Sequence, residues 1–160
     1  MTTRTPCALM MVRALVIAMV FGVGMSASTL AGSAEDPQEA AHAWRVHRGA
    51  YFDSLWGVDI VGVKLVSSGW MLQFKYRVTD PEKAKELLGN HAKPYLVDEA
   101  SGAKLAVPAM ENVGELRQAA VPEAGRTYFI IFGNANKIVQ RGAKVSVEIG
   151  SFVADELIVE

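Results

Sequence analysis

From Trp70 to Thr79 the chain reads WMLQFKYRVT, with apolar side chains at Trp70, Leu72, Phe74, Tyr76 and Val78. Gln73, Lys75, Arg77 and Thr79 alternate with them, and only Met71 breaks the pattern. Period two over this length predicts a β-strand with one buried and one wet face. Burying five such side chains contributes roughly 10 kcal/mol gross, at ~1.5–3 kcal/mol each, before chain entropy is subtracted. Just upstream, GVDIVGVKLVSS holds Val58 and Ile60 in one phase and Val61, Val63 and Leu65 in the other. The slip falls beside Gly62 and predicts a bulge. Ser67-Ser68-Gly69 is a tight turn, so the two strands are expected to form a hairpin.

Residues 37–55, PQEAAHAWRVHRGAYFDSL, change to helical spacing. Asp36 is the expected cap and Pro37 suits the first helical position. Ala40, Trp44, Tyr51 and Leu55 form one narrow apolar stripe on that helix. Gly49 weakens it by ~1 kcal/mol relative to alanine. DPEKAKELL predicts a short helix capped by Asp80, with Pro81 at its first position and Gly89-Asn90 as its stop. Its apolar face, Ala84, Leu87 and Leu88, is sized to plug one end of a β layer.

Pro94–Asp98 and Ala103–Val107 flank Glu99-Ala100-Ser101-Gly102 and predict a second hairpin. Pro108 to Gly125 is irregular. Arg126–Phe132, RTYFIIF, is apolar on both faces, Tyr128, Ile130 and Phe132 on one and Phe129 and Ile131 on the other, so something must cover each. Lys144–Gly150 alternates, with Val145, Val147 and Ile149 inward, and a last strand is expected at about Asp155–Glu160. About seven short strands separated by turns predict a mostly β fold, a single antiparallel immunoglobulin-like β-sandwich, with a small closed barrel as the alternative.

The first residues have another character. After Arg13 come twelve uncharged residues, Ala14–Met25, and then SASTLAGSA, ending at Ala34. This is the pattern of a secretory signal peptide over 1–34, with cleavage after Ala34 or Ala31. The competing expectation is an uncleaved anchor, because the uncharged run to Ala34 is long enough to cross a bilayer. The organisation is then signal 1–34, helix 35–56 and β-sandwich 57–160. The single cysteine, Cys7, precedes the apolar run and is not placed as a lipid anchor. The exported part would lack any disulfide, thiol nucleophile or thiolate ligand.

The sequence has 16 basic and 17 acidic residues; removing Arg4 and Arg13 with the signal leaves 14 against 17, a net charge of −3. A mildly acidic domain without a basic block is unsuited to phosphate backbones, so no nucleic-acid partner is expected.

Candidate chemistry is thin. His42 and His47 are five apart, about 140° on a helix, and cannot share a metal there. His91 follows a helix stop. Met71 and Met110 are soft donors and support an alternative, a periplasmic copper-type metal-handling protein using Met and His ligands. No Met-x-Met or His-x-His pair backs it. Ser67, Ser68 and Ser101 fall in turns and Ser146 on a strand, without a G-x-S-x-G elbow. Glu82, Lys83, Lys85 and Glu86 are the wet side of the short helix, and Asp98 with Glu99 is an ordinary turn pair. Neither enzymatic activity nor a cofactor is expected.

Taken together, WMLQFKYRVTDPEKA, KPYLVDEASGAKLAVP, GRTYFIIFGN and RGAKVSVEIG give the chain from Leu55 to Glu160 a resemblance to a known group. It resembles the single immunoglobulin-like domains of small exported bacterial proteins of unknown function. The resemblance implies a sandwich and a cell-envelope address, periplasmic or extracellular, and carries over no functional residue. It departs from antibody-type domains in lacking the cysteine pair beside a strand tryptophan. The expected function is a non-enzymatic binding or structural domain of the envelope. The helix stripe of Trp44, Tyr51 and Leu55 has two expected uses. Either it covers the outer face of the Tyr128–Phe132 sheet, or it meets another envelope protein or a second copy. Membrane contact is expected only through the N-terminal segment, if it is uncleaved.

Overall fold

A computed structural model describes residues 36–89, 92–110, 114–115, 117–118 and 121–160. The expected signal segment with its cleavage positions, His91 and the Met110 side chain lie outside the described residues.

The predicted hairpin is formed by β1 (Val58–Val66) and β2 (Met71–Val78), paired antiparallel from Val58↔Val78 to Val66↔Met71. Its register shifts between Ile60 and Gly62, where the phase slip placed the bulge. Val61 is thereby turned outward while Ile60 and Val63 both point into the core. Leu72, Phe74, Tyr76 and Val78 are buried as the alternation requires. Trp70 is not. It ends the turn from Ser67, with helical rather than extended dihedrals, and stands 55% exposed. The strand begins one residue too late to carry its ring inward.

The chain then makes a short α2 (Lys85–Leu88), β3 (Pro94–Asp98), β4 (Lys104–Ala106), β5 (Ala109–Met110), β6 (Gly114–Glu115), β7 (Thr127–Gly133), β8 (Lys144–Ile149) and β9 (Phe152–Ile158). α2 is shorter than the sequence predicts. Asp80 still caps the preceding turn, accepting from the Glu82 amide at 3.0 Å, and Ala84, Leu87 and Leu88 are buried. β9 starts at Phe152, three residues before the expected position, which brings the Phe152 ring into the core.

One antiparallel sheet has the order β1-β2-β7 and the other β4-β3-β8-β9, with β5 and β6 a separate ribbon. Seven of these strands have three or more residues. The inward residues of both sheets form one core, a mostly β arrangement in keeping with a sandwich. Each edge of the first sheet is met at one point. Val63 bridges Val159 beside β1, and Arg117 bridges Ile130 beside β7.

The N-terminal helix α1 spans Pro37–Trp56, with the Asp36 carboxylate accepting from the Gln38 amide at 3.1 Å. It ends at Gly57 in the left-handed region, where a Cβ would lie 2.6 Å from the Asp80 backbone oxygen. α1 packs on β1 and β9. It does not cover β7, so that expectation is corrected. Phe129 and Ile131 are half-buried beside their cross-strand neighbours Lys75 and Gln73, whose stems share that face.

The apolar stripe is corrected as well. The docked face of α1 runs through Ala41, Trp44, Arg45, Arg48, Phe52 and Trp56, rotated away from Tyr51 and Leu55. Phe52 is fully buried, its ring 5.6 Å from that of Trp44 and 5.7 Å from that of Phe152. Among the described residues no helix is long and apolar enough to cross a membrane.

Candidate interaction surface

Two loops meet at one end of the sandwich. The β1–β2 turn holds Ser67, Ser68 and Gly69 at φ of 53°, 55° and 85°; the loop after β7 holds Asn136 and Lys137 at 58° and 51°. Left-handed dihedrals in non-glycine residues cost of order 1–3 kcal/mol each and persist only when neighbours fix them. Asn134 is the fixing residue. Fully buried, it donates from Nδ2 to the Gly69 carbonyl at 2.9 Å and to that of Val139 at 2.7 Å. Its Oδ1 accepts from the Val139 amide at 3.1 Å, and its own amide donates to the Trp70 carbonyl at 2.8 Å. One buried side chain thus joins both loops and satisfies groups that would otherwise be orphaned.

What this arrangement displays is a large indole. The Lys137 ammonium lies 5.2 Å from the centre of the Trp70 ring, a cation–π geometry. Ile138, next in the chain, is 46% exposed. Lys137 is the one charge in Ser67–Trp70 and Asn134–Ile138.

A second surface feature, a depression of about 330 Å³, lies where α1 meets β1. Its lining includes Arg45, Asp59, Lys64, Arg77 and Glu160. Arg45 donates to Glu160 at 2.6 Å and to the Val61 carbonyl at 3.0 Å. Lys64 meets Glu160 at 2.9 Å, and Arg77 meets Asp59 at 2.6 Å. Burial pushes the Glu160 carboxyl up, but hydrogen bonds from Arg45 and Lys64, together with their charges, outweigh it and hold the carboxyl below its ordinary range. Every cation here is already paired, so the depression reads as the fastening of α1 rather than a receptor.

Of the helix residues singled out from the sequence, Trp44 belongs to the fold. Its ring is half-buried and its Nε1 donates to the Asp155 carbonyl at 3.0 Å. Tyr51 and Leu55 are 54% and 52% exposed. His42 and His47 are exposed. Asp98 is buried in its turn, accepting from the Ser101 amide and hydroxyl. Glu99 accepts from the Ser146 hydroxyl and the Glu156 amide. The Ser151 hydroxyl and amide hold the Glu86 carboxyl below its usual range. Burial drives the Tyr76 hydroxyl far above its usual range, with Tyr128 adding to the shift and Arg117 opposing it. Among the described residues no group of three or more His, Cys, Asp or Glu stands ready for a metal ion.

Asn134 and Lys137 carry no local sequence signal as site residues, and the alternation places Trp70 in the core. A usable signal existed. No acidic residue occurs between Asp59 and Asp80, nor between Glu123 and Glu148, the two stretches that supply both loops. No family model, curated protein or solved structure matches the chain.

Proposed function

We propose that the chain is an exported, non-enzymatic binding domain of the bacterial cell envelope, built on an immunoglobulin-like sandwich and recognising its partner with the Trp70 end. The observation that carries this reading is the pinned pair of loops. Four left-handed non-glycine residues and a buried asparagine hold a half-exposed indole in place beside the half-exposed Ile138, an arrangement suited to an interface anchor. The strand order supports the sandwich type. Leaving out the two-residue ribbon, strands one, two and five form one layer and four, three, six and seven the other. The Tyr128 hydroxyl closes the segment before β7, accepting from the Glu123 amide at 3.0 Å and donating to the Val121 carbonyl at 3.2 Å.

Export is tested by expressing the full chain in a bacterial host, fractionating the cells and determining the N-terminus of the recovered protein. The expected product lies outside the cytoplasm and begins at Gly32 or Glu35. An intact chain confined to the cytoplasm would overturn the reading.

A further inference from the structure

We infer that the Trp70 end is a docking site for an anionic lipid bilayer, into whose headgroup layer Trp70 and Ile138 insert while Lys137 meets lipid phosphate. This deepens the binding-domain reading and rests on it for the protein's location. Three observations converge. The exposed residues are of the kinds that settle at a membrane–water interface: an indole, a branched aliphatic and a lysine with a long apolar stem. The loops carry one charge, Lys137, and no carboxylate, although the part after residue 34 is acidic as a whole. The basic residues of the flanking stretches lie elsewhere: Lys64 and Arg77 line the depression beside α1, and Arg77 pairs with Thr127 at the end of β2 and β7 away from Trp70.

Arg126, Arg77 and Lys64 are neutralised by Glu123, Asp59 and Glu160, and Arg141 lies 3.9 Å from Asp36. Among the described residues Lys137 has no carboxylate partner; its stem runs past Gly69 and its ammonium faces the indole. Finally, the loops are pre-ordered by Asn134, so insertion needs no ordering of the backbone at the moment of contact. An acidic polypeptide would match the charge but has no need of the paired Trp70 and Ile138.

The test uses the full chain with vesicles of phosphatidylcholine alone or with 30% phosphatidylglycerol, each doped with nitroxide-labelled lipid that quenches tryptophan on contact. An N-terminal segment that enters the bilayer does so in both vesicle types, and it contains no tryptophan. The expected result is quenching that needs the anionic lipid, is lost in Trp70→Ala, and fades above about 0.5 M salt as charges are screened. Lys137→Gln should weaken the anionic component about fivefold, the share of one basic residue at such a surface. Equal quenching in both vesicle types, or quenching that survives Trp70→Ala with unchanged far-UV dichroism and melting temperature, overturns the proposal. So does binding to a soluble polyanion but not to vesicles. Cell fractionation is read separately: a cytoplasmic chain that still shows Trp70 quenching keeps the lipid site and loses the envelope.

Discussion

Arg45 on the N-terminal helix and Glu160 beside β1 lie 115 positions apart in the sequence and meet at 2.6 Å. The Glu160 backbone continues the contact, its amide donating to Val63 at 2.9 Å and its carbonyl accepting from Leu65 at 3.3 Å. Helix, hairpin and chain end are therefore fastened at one point. Because the carboxyl is held below its ordinary value of 4.5, the folded state favours its charged form more than the unfolded state does. That contribution is complete above about pH 4.5 and is lost as pH falls through the lower folded value. Glu160→Gln should therefore cost about 1–2 kcal/mol at neutral pH, with the gap to the native protein closing as the solution is acidified below pH 4. Urea titrations of both proteins at pH 7 and pH 3.5 measure it.

Gly62 makes room for that pair. It sits at φ 141°, and a Cβ there would stand 3.2 Å from Glu160 Oε1 and 3.3 Å from Arg45 Nη1. Gly62→Ala combines a backbone conformation foreign to alanine with pressure on the ion pair. A loss of roughly 2 kcal/mol or more is expected from denaturant unfolding. A loss below about 0.5 kcal/mol would show that the bulge relaxes freely.

Asn134→Ala should cost about 2–4 kcal/mol. It leaves the Gly69 carbonyl and both Val139 backbone groups without the partner that buried groups need. It should also free the loops, seen as faster amide hydrogen exchange at Ser68–Trp70 while β8 stays protected. Unchanged exchange there would remove Asn134 from its proposed part.

The contrast between Trp70 and Phe74 shows how far the sequence could be read. Alternation located the buried face of β2, and Gly62 located the bulge, because both signals are local. Trp70 continued the same pattern yet belongs to the turn, and periodicity has no means of showing where a turn ends. Phe52 escaped the helix reading for a different reason. Arg45 and Arg48 lie on the docked face, so apolar spacing alone points toward Tyr51 and Leu55. Those arginines sit there because Asp155 of β9 and Glu160 just after it, both distant in sequence, arrive to meet them. Asn134 is the extreme case: two of its side-chain bonds fold its own loop onto Val139, the third needs the distant Gly69 to arrive, and no spacing announces them. Phe74→Ala should cost about 3–5 kcal/mol and Trp70→Ala no more than about 1 kcal/mol, compared by thermal unfolding.

The central claim is that the loop end recognises the envelope and the sandwich merely holds it. The most direct test is co-sedimentation of the exported form, recovered from its cells, with isolated cell envelopes, for the native protein beside Trp70→Ala. The account predicts binding at least tenfold weaker for Trp70→Ala, with a melting temperature near that of the native protein. Equal binding by the two proteins would contradict it.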